Sequence, residues 1–436
     1  MRARGLGGLD LTRRDALRGG VLGLAALLGK SLLTGCDADA NGAPRDAGTR
    51  ADAAGRERDG GLRADAAVSR PGLALGPGPN LRSALAQVGP LGEADENGVR
   101  LPQGFRSRVV ARAGEKPVPG GSYAWHVLPD GGATFATEDG GWIYVSNSET
   151  LFVGGVGALR FNRDGEIVDA YPILEKTTGN CAGGKMPWGV WLSCEEFANG
   201  RVHECDPLGE EPAIVRPALG VFKHEAAAYE PENHHVYLTE DEKDGRFYRY
   251  VPEAMTLAGY ADLSMGRLQA AQVKPDGSVR WHGVPDPLFA DGVPTRRQVA
   301  ATTAFSGGEG IYWHDGIVYF STKGDNRVRA YDVAAQSMRV LYDAAVAETP
   351  ILTGVDNLTG TCCGDVLVAE DGGDMQIVVI LADGTLKPLV QIVGQDRSEI
   401  TGPAFDPSGT RLYFSSQRAQ DVGATYEVTG PFHAPG

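Results

Sequence analysis

From Gly121 onward the chain is a succession of short β-rich segments bounded by Asp-Gly, Asn or Gly turns, and this limits the folds open to it. Trp142-Ile143-Tyr144-Val145, His235-Val236-Tyr237-Leu238, Phe247-Tyr248-Arg249-Tyr250 and Ile317-Val318-Tyr319-Phe320 are examples, followed by Val366–Ala369, Ile377–Ile380 and Arg411–Phe414. Each has strand length, and Asp-Gly is a favoured hairpin corner. More than 300 residues of such hairpins suit a propeller better than one sandwich. A Gly or Asn turn leading into a strand recurs at Gly141, Asn233, Gly316, Gly364 and Gly409. The last two intervals, 48 and 45 residues, match one four-stranded blade each, while the first two, 92 and 83, are read as two blades each. The expected fold is an all-β, six-bladed β-propeller, with five or seven blades, a large barrel or stacked sandwiches as alternatives. Amphipathic helical patterns are confined to residues 82–88 and 254–271, the second expected to decorate a loop.

The N-terminus reads differently. Arg13-Arg14 precede an apolar run, Val21 to Leu33, whose only charge is Lys30. The run is too short for a spanning helix and suits the h-region of a twin-arginine export signal. Leu33-Thr34-Gly35-Cys36 then reads as a lipoprotein processing site, with acylation of Cys36 anchoring the protein to a bilayer. Residues 1–35 are thus expected to be the signal, residues 36–100 a low-complexity tether and lead-in, and residues 101–436 the propeller. The stretch from Asp37 to about Asn80 has no aromatic residue and cannot bury enough apolar surface to order itself. Removing residues 1–35 moves the net charge from −15 to near −19, which argues against nucleic acid and fits cation binding. A monomer in the cell envelope, periplasmic or on the outer face, is expected.

In a propeller, residues distant in sequence converge at one end of the central channel. Six segments put metal-capable groups at strand edges: Asn147-Ser148-Glu149, Cys194-Glu195-Glu196, His224-Glu225, Glu240-Asp241, Glu309-Gly310, and Glu370-Asp371 with Asp356-Asn357 upstream. A hard cation such as calcium takes six to eight oxygen ligands, more than one loop supplies. Clustered carboxylates without a metal would be forced to protonate. By contrast, Glu242 and Asp244 read as solvated turn residues, His234-His235 as a surface turn and His126 as a core histidine. Lys185 and Lys323 are either phosphate contacts or ordinary loop residues.

Cys36 apart, five cysteines remain, an odd number for an oxidising compartment. Cys194 directly precedes two glutamates, a combination that a thiolate ligand to iron would explain. Cys181 and Cys205 are candidates for a disulfide or for free thiols. Cys362-Cys363 are either a vicinal disulfide or buried thiols. Nucleotide-binding glycine motifs and the Gly-x-Ser-x-Gly elbow are absent from the sequence.

Asn180-Cys181-Ala182-Gly183-Gly184 followed by Pro187-Trp188-Gly189-Val190-Trp191-Leu192-Ser193-Cys194-Glu195-Glu196 resembles the signature of the PhoX-type alkaline phosphatases, the DUF839 family. Further segments match in order, among them Asn147–Glu149 with Gly154-Gly155-Val156, Phe222–Ala226 with Val236–Asp241, and Thr401–Gly409. The resemblance spans roughly residues 105 to 430. It implies twin-arginine export, a six-bladed propeller, an oxide-bridged pair of ferric ions with several calcium ions, and phosphate release from phosphomonoesters. It also implies that Cys194 is the thiolate ligand to iron, and that Glu195 or Glu196, Glu225, Glu309 and Glu370 or Asp371 surround iron and calcium. Cys194, Glu225 and Glu309 are then the expected catalytic residues; Glu149, Glu240 and Asp356 complete the expected metal set. One departure stands out. The family reads Phe-x-Arg-x-Glu-Gly where this chain has Phe305-Ser306-Gly307-Gly308-Glu309-Gly310, so the phosphate-holding arginine is Gly307. Lys185, Lys323 or Arg327 could stand in for it, or the substrate is not a simple phosphomonoester.

The expected function is therefore metal-dependent hydrolysis of a small-molecule phosphoester. The rivals are a calcium-dependent lactonase-like hydrolase, built on groups such as Glu149, Asp356 and Asn357, and a non-catalytic, calcium-stabilised tethered binding propeller.

Overall fold

Asp315 and Gly316 join strand Gly308–His314 to strand Ile317–Thr322 as a two-residue corner with φ of +44° and +78°. This mirror-image turn matches the twist of a hairpin, and a short polar residue followed by glycine adopts it at little cost. The computed structural model describes residues 71–436, Pro77 and Thr349 excepted, and in it antiparallel strands build six successive blades. The inner strands are Pro129–Ala136, Asn180–Met186, His224–Glu230, Gly308–His314, Val355–Gly360 and Ile400–Phe405. Each touches the inner strands of the blades beside it, the sixth against the first, so the six sheets close into a propeller.

Alternation along the strands fills the gaps between blades. Among the described residues six apolar clusters occur, one at each blade interface. In the second strand of blade two, Val190, Leu192 and Cys194 face blade three, whereas Trp191 faces blade one. Period-two geometry dictates this division.

The ends of the chain complete the ring. Strand Arg106–Arg112 pairs with Ala424–Thr429 as the outermost strand of blade six. Val99–Pro102 and Leu91–Ala94 extend blade five, and Leu81–Ser83 pairs with His433–Pro435. Residues 81–100 of the stretch read as tether and lead-in thus contribute three short strands, the last running on to Pro102, to the propeller's rim. Arg13, Arg14, Cys36 and the tether as far as residue 70 lie outside the described residues.

Two expectations are corrected. The 83-residue interval from Asn233 to Gly316 is one blade, not two: blade three carries a fifth strand, Val279–Gly283, and a long connection to residue 308. No helix forms over 82–88 or 254–271. The first holds only the single 3-10 turn Leu85–Gln87. In the second, Gly259 takes a positive φ, and Gly266–Val273 pairs as a strand with Phe247–Pro252. Cross-strand pairing overrides the helical pattern.

Candidate metal centre in the channel

All six inner strands share one irregularity; in five it falls at the second and third residues, and in blade six one residue later, at Gly402-Pro403 opposite Phe414. Opposite Asn147, Cys194, Thr239, Ser321 and Ala369 of the second strands, two inner-strand residues stand against one: Asp130-Gly131, Cys181-Ala182, Glu225-Ala226, Glu309-Gly310 and Asp356-Asn357. A bulge re-aims side chains and is frequent beside functional sites. Here the first residue of each pair joins a cluster at one mouth of the channel, four carboxyls and a thiol in all. The second is small in four blades because neighbouring inner strands meet there; a Cβ on Gly131 would stand 2.5 Å from Ala182 Cα.

The second strands end nearby, and residues just past them supply a further layer: Glu149, Glu196, Asp241, Lys323 and Asp371. Glu399 enters from the start of blade six. Metal-capable atoms group in overlapping sets, each within 4.8 Å: Asp130, Glu149 and Cys181; Cys181, Glu196 and Glu225; Glu225, Glu309 and Asp356; Asp356, Asp371 and Glu399. Asn147 steadies the thiol's backbone, its Nδ2 donating to the carbonyls of Cys181 and Ala182 while its Oδ1 accepts from Trp191 Nε1 and Ser193 Oγ.

Three cations face these acids. Lys223 Nζ lies 2.5 Å from Glu196 and 2.6 Å from Asp241. Lys323 Nζ lies 2.9 Å from Asp356, 3.2 Å from Asp371 and 3.4 Å from Glu309. Arg418 is 2.6 Å from Glu399. Nine carboxyls with three cations leave six negative charges uncompensated if all ionise. Burial, reinforced by neighbouring carboxylates, accordingly pushes Asp130, Glu149, Glu225 and Glu309 well above the usual carboxylate range. Burial also raises Glu399, to about 8, with Asp371 adding to the shift and Arg418 opposing it. Asp241 goes the other way: burial resists its ionisation, but Lys223 outweighs that and holds it low.

Glu225 Oε2 and Glu309 Oε1 are buried without a hydrogen-bond partner, and Cys181 Sγ donates to Glu225 Oε1 at 3.2 Å. Buried carboxyl oxygens converging from several blades, two of them without a hydrogen bond and with one thiol in the group, fit hard cations together with one ion that tolerates sulfur. The donor set therefore suits metal.

Of the residues expected in the site, Glu149, Glu196, Glu225, Glu309, Asp356 and Asp371 are brought together. Cys194 is not. It sits in the apolar cluster between blades two and three with Leu192, Val202 and Phe222, and burial pushes its thiol up. The parity of its strand turns it away from the channel, and the bulge delivers Cys181 instead. Glu195, Glu240 and Glu370 brace loops. Glu195 accepts from the backbone N–H groups of Thr178 and Arg201, Glu370 from those of Thr353 and Gln376, and Glu240 from Arg246 N–H and the Tyr248 hydroxyl. In each Glu-Glu or Glu-Asp pair the first acid is structural and the second enters the channel. Cys181 and Cys205 are free thiols, not a disulfide, since Cys205 lies on the third strand of its blade, across from Trp191. His126 bonds Tyr123 and Ser146, as a core histidine does.

Sequence reasoning missed Asp130, Cys181 as a donor, Glu399, Lys223 and Arg418. The available signal was position: Asp130 and Cys181 stand second in an inner strand, as Glu225 and Glu309 do. Of the candidate bases only Lys323 reaches the cluster. Lys185 stands over the Phe135 ring, and Arg327 pairs with Asp325 and Asp343. Gly307 has φ of +65°, and a Cβ there would lie 3.3 Å from Asp241 Oδ1 and 3.5 Å from Glu309 Oε1. Its carbonyl accepts from Lys323 N–H at 2.8 Å.

Residues 154–341 match the family model described as alkaline phosphatase PhoX. Among solved structures, Pseudomonas fluorescens PhoX in complex with vanadate, a transition state analogue, is similar with a TM-score of 0.64 at 16% identity, over 81% of this chain and 98% of that one. XC5397 from Xanthomonas campestris, a gluconolactonase, gives 0.41 at 15% identity, over 85% and 100%. No curated protein matches.

Proposed function

Since the chain belongs to the PhoX family, we propose that it is a metal-dependent phosphoric ester hydrolase whose channel mouth holds iron and calcium. The observation that carries this reading is the ring of buried carboxyls around Cys181, in which Glu225 Oε2 has no hydrogen-bond partner and Glu309 Oε1 meets only the Lys323 ammonium at 3.4 Å. Cys181 with Glu196 and Glu225 is the set suited to iron; the all-oxygen sets around Glu309, Asp356, Asp371 and Glu399 suit calcium. Bound metal would supply Lewis-acid neutralisation of a phosphoryl group and make water acidic enough to attack.

The chain's own residues bind and orient. Lys323 projects into the mouth, its side chain 30% exposed, from backbone hydrogen-bonded to Gly307. A cation thus stands beside the position from which the family's arginine would reach. It is a point charge without the bidentate fork of a guanidinium, so phosphate is held less directionally. Arg418, fixed on Glu399, offers a second cation. That PhoX of P. fluorescens binds vanadate supports a phosphoryl-shaped pocket here.

The same reading places the protein outside the cytoplasm as a monomer, exported by the Arg13-Arg14 signal and held on a bilayer by acylated Cys36. The test is a panel of phosphomonoesters, phosphodiesters and lactones on protein of known metal content, with vanadate as inhibitor. Vanadate-sensitive phosphoester turnover is expected. Lactone turnover alone, or no turnover at full metal occupancy, would overturn the proposal in favour of a lactonase or a binding propeller.

A further inference from the structure

At the other end of the channel a second group of ligand-bearing side chains lies outside the site just described. Cys362 and Cys363 occupy the turn between the inner and second strands of blade five. They follow Asp356 by six residues, so the turn lies roughly 20 Å along the strand direction from the acidic mouth. Their sulfurs are 3.4 Å apart, and a ring nitrogen of His433 lies within 4.8 Å of both. His433 comes from the C-terminal strand, paired with Ser83.

The histidine is set as metal-ligating histidines are set. Its Nδ1 lies 2.7 Å from the Gly409 carbonyl, which places the proton there. That leaves Nε2 as a lone pair, and this atom is buried with no hydrogen-bond partner. A backbone carbonyl that orients the ring and fixes its tautomer is the usual outer support of an imidazole ligand. The ring is further held by an edge contact with Phe405. A Cβ at residue 409 would stand 3.0 Å from Nδ1, so glycine permits the approach. On the thiol side, Cys363 Sγ donates to Leu81 O at 3.3 Å.

We propose that Cys362, Cys363 and His433 bind a thiophilic cation, zinc(II) or copper(I), which clips the two ends of the propeller chain to blade five. Two thiolates and a neutral imidazole form a soft donor set, unlike the carboxylate ring at the opposite mouth. Two thiolates on tetrahedral zinc stand about 3.8 Å apart, a small rotation from the distance here. Binding forms two metal–sulfur bonds and one metal–nitrogen bond and releases one proton from each thiol, with no change of oxidation state. The clip has mechanical work to do. Leu81–Ser83 and His433–Pro435 form only a two-stranded ribbon, and such a ribbon is marginal alone.

The test uses full-length protein, reduced and stripped of metal, carrying Cys181→Ser so that the channel thiol cannot report. Cobalt(II), the spectroscopic substitute for zinc, is titrated in. One equivalent is expected to produce thiolate-to-cobalt charge transfer and tetrahedral ligand-field bands, which zinc displaces; copper(I) competition against a chelator decides between the two cations. His433→Gln should weaken uptake about tenfold or more, and Cys362→Ser with Cys363→Ser should abolish the bands. Circular dichroism confirms that these variants fold. Persistence of the bands in the double serine protein would overturn the proposal. So would wild-type thiols that stay free at saturating cobalt and copper(I), or a Cys362–Cys363 disulfide that re-forms in the presence of zinc.

Discussion

Stripping metal from the channel should invert the ordinary pH dependence of a protein rich in acids. Glu399 is pushed up to about 8, first by burial, then by Asp371, against the pull of Arg418. Its folded pKa lies above its unfolded value near 4.5, so the metal-free folded state binds more protons than the unfolded chain. Its stabilising contribution is complete below pH of about 4.5 and is lost as pH rises through about 8. At about 1.4 kcal/mol per pKa step the loss is on the order of 5 kcal/mol. In a domain this large that corresponds to a fall of roughly 6 °C in melting temperature over the whole interval, about half of it between about pH 6 and about pH 9. Asp130, Glu149, Glu225 and Glu309 shift in the same direction and deepen the fall. Asp241, which Lys223 holds low, does not alter this fall: its contribution is already complete above its ordinary value of 3.8 and stays constant over the range. The assay is thermal unfolding of metal-free and calcium-loaded protein from about pH 6 to about pH 9, with a parallel calcium titration in weak buffer containing a pH indicator. The metal-free melting temperature should fall with rising pH, the loaded one should change little, and calcium should release protons. Metal-free stability that holds or rises over this range, or calcium uptake without proton release, would refute convergence of these carboxyls.

Cys181→Ser should remove any thiolate-to-iron colour and lower iron content, while Cys194→Ser should keep both and cost about 1–3 kcal/mol for a hydroxyl buried in an apolar cluster, read by denaturant unfolding. Gly307→Arg should not raise phosphoester turnover. Its φ of +65° costs roughly 1–2 kcal/mol for a side chain, which Gly307→Ala should reproduce. Lys323→Gln should instead cut kcat/KM by about tenfold or more with metal content measured in parallel. Arg13→Lys with Arg14→Lys should leave unprocessed precursor in the cytoplasm, and Cys36→Ala should be exported without lipid, both read by fractionation with a lipid label.

The blades were legible because turn chemistry and strand alternation are local. Trp142–Val145, Val366–Ala369 and Arg411–Phe414 all lie within strands at the positions their composition indicates. Blade three was miscounted because its connection to blade four is long, and spacing carries no sign of an insertion. The site was half legible. Acids at strand ends pointed to the right mouth, but the inner-strand donors Asp130 and Cys181 are delivered by a one-residue bulge that leaves little trace in composition, and at the second-strand ends the loop backbone decides which acid of a pair is left for the channel. Glu195 and Glu196 are chemically equal as letters; backbone N–H groups of Thr178 and Arg201 claim the first. Cys194 misled for the same reason. Its two acidic neighbours suggested a ligand, while its parity pointed the sulfur at Leu192 and Phe222.

The pairing of Arg106–Arg112 with Ala424–Thr429 sets the order of events at birth. The early strand waits through the synthesis of some three hundred residues before its partner leaves the ribosome, and until then the ring is open. Long-range closure of this kind is slow. Asp130 and Glu399 belong to the first and last blades, so the ligand shell has a gap for as long as the ring does. On the proposed function, metal capture would therefore be a late event that reads out completion of the whole chain, and a truncated or stalled product would be left without it. For a protein proposed to leave the cytoplasm already folded, the same seam that closes the ring doubles as a checkpoint for departure.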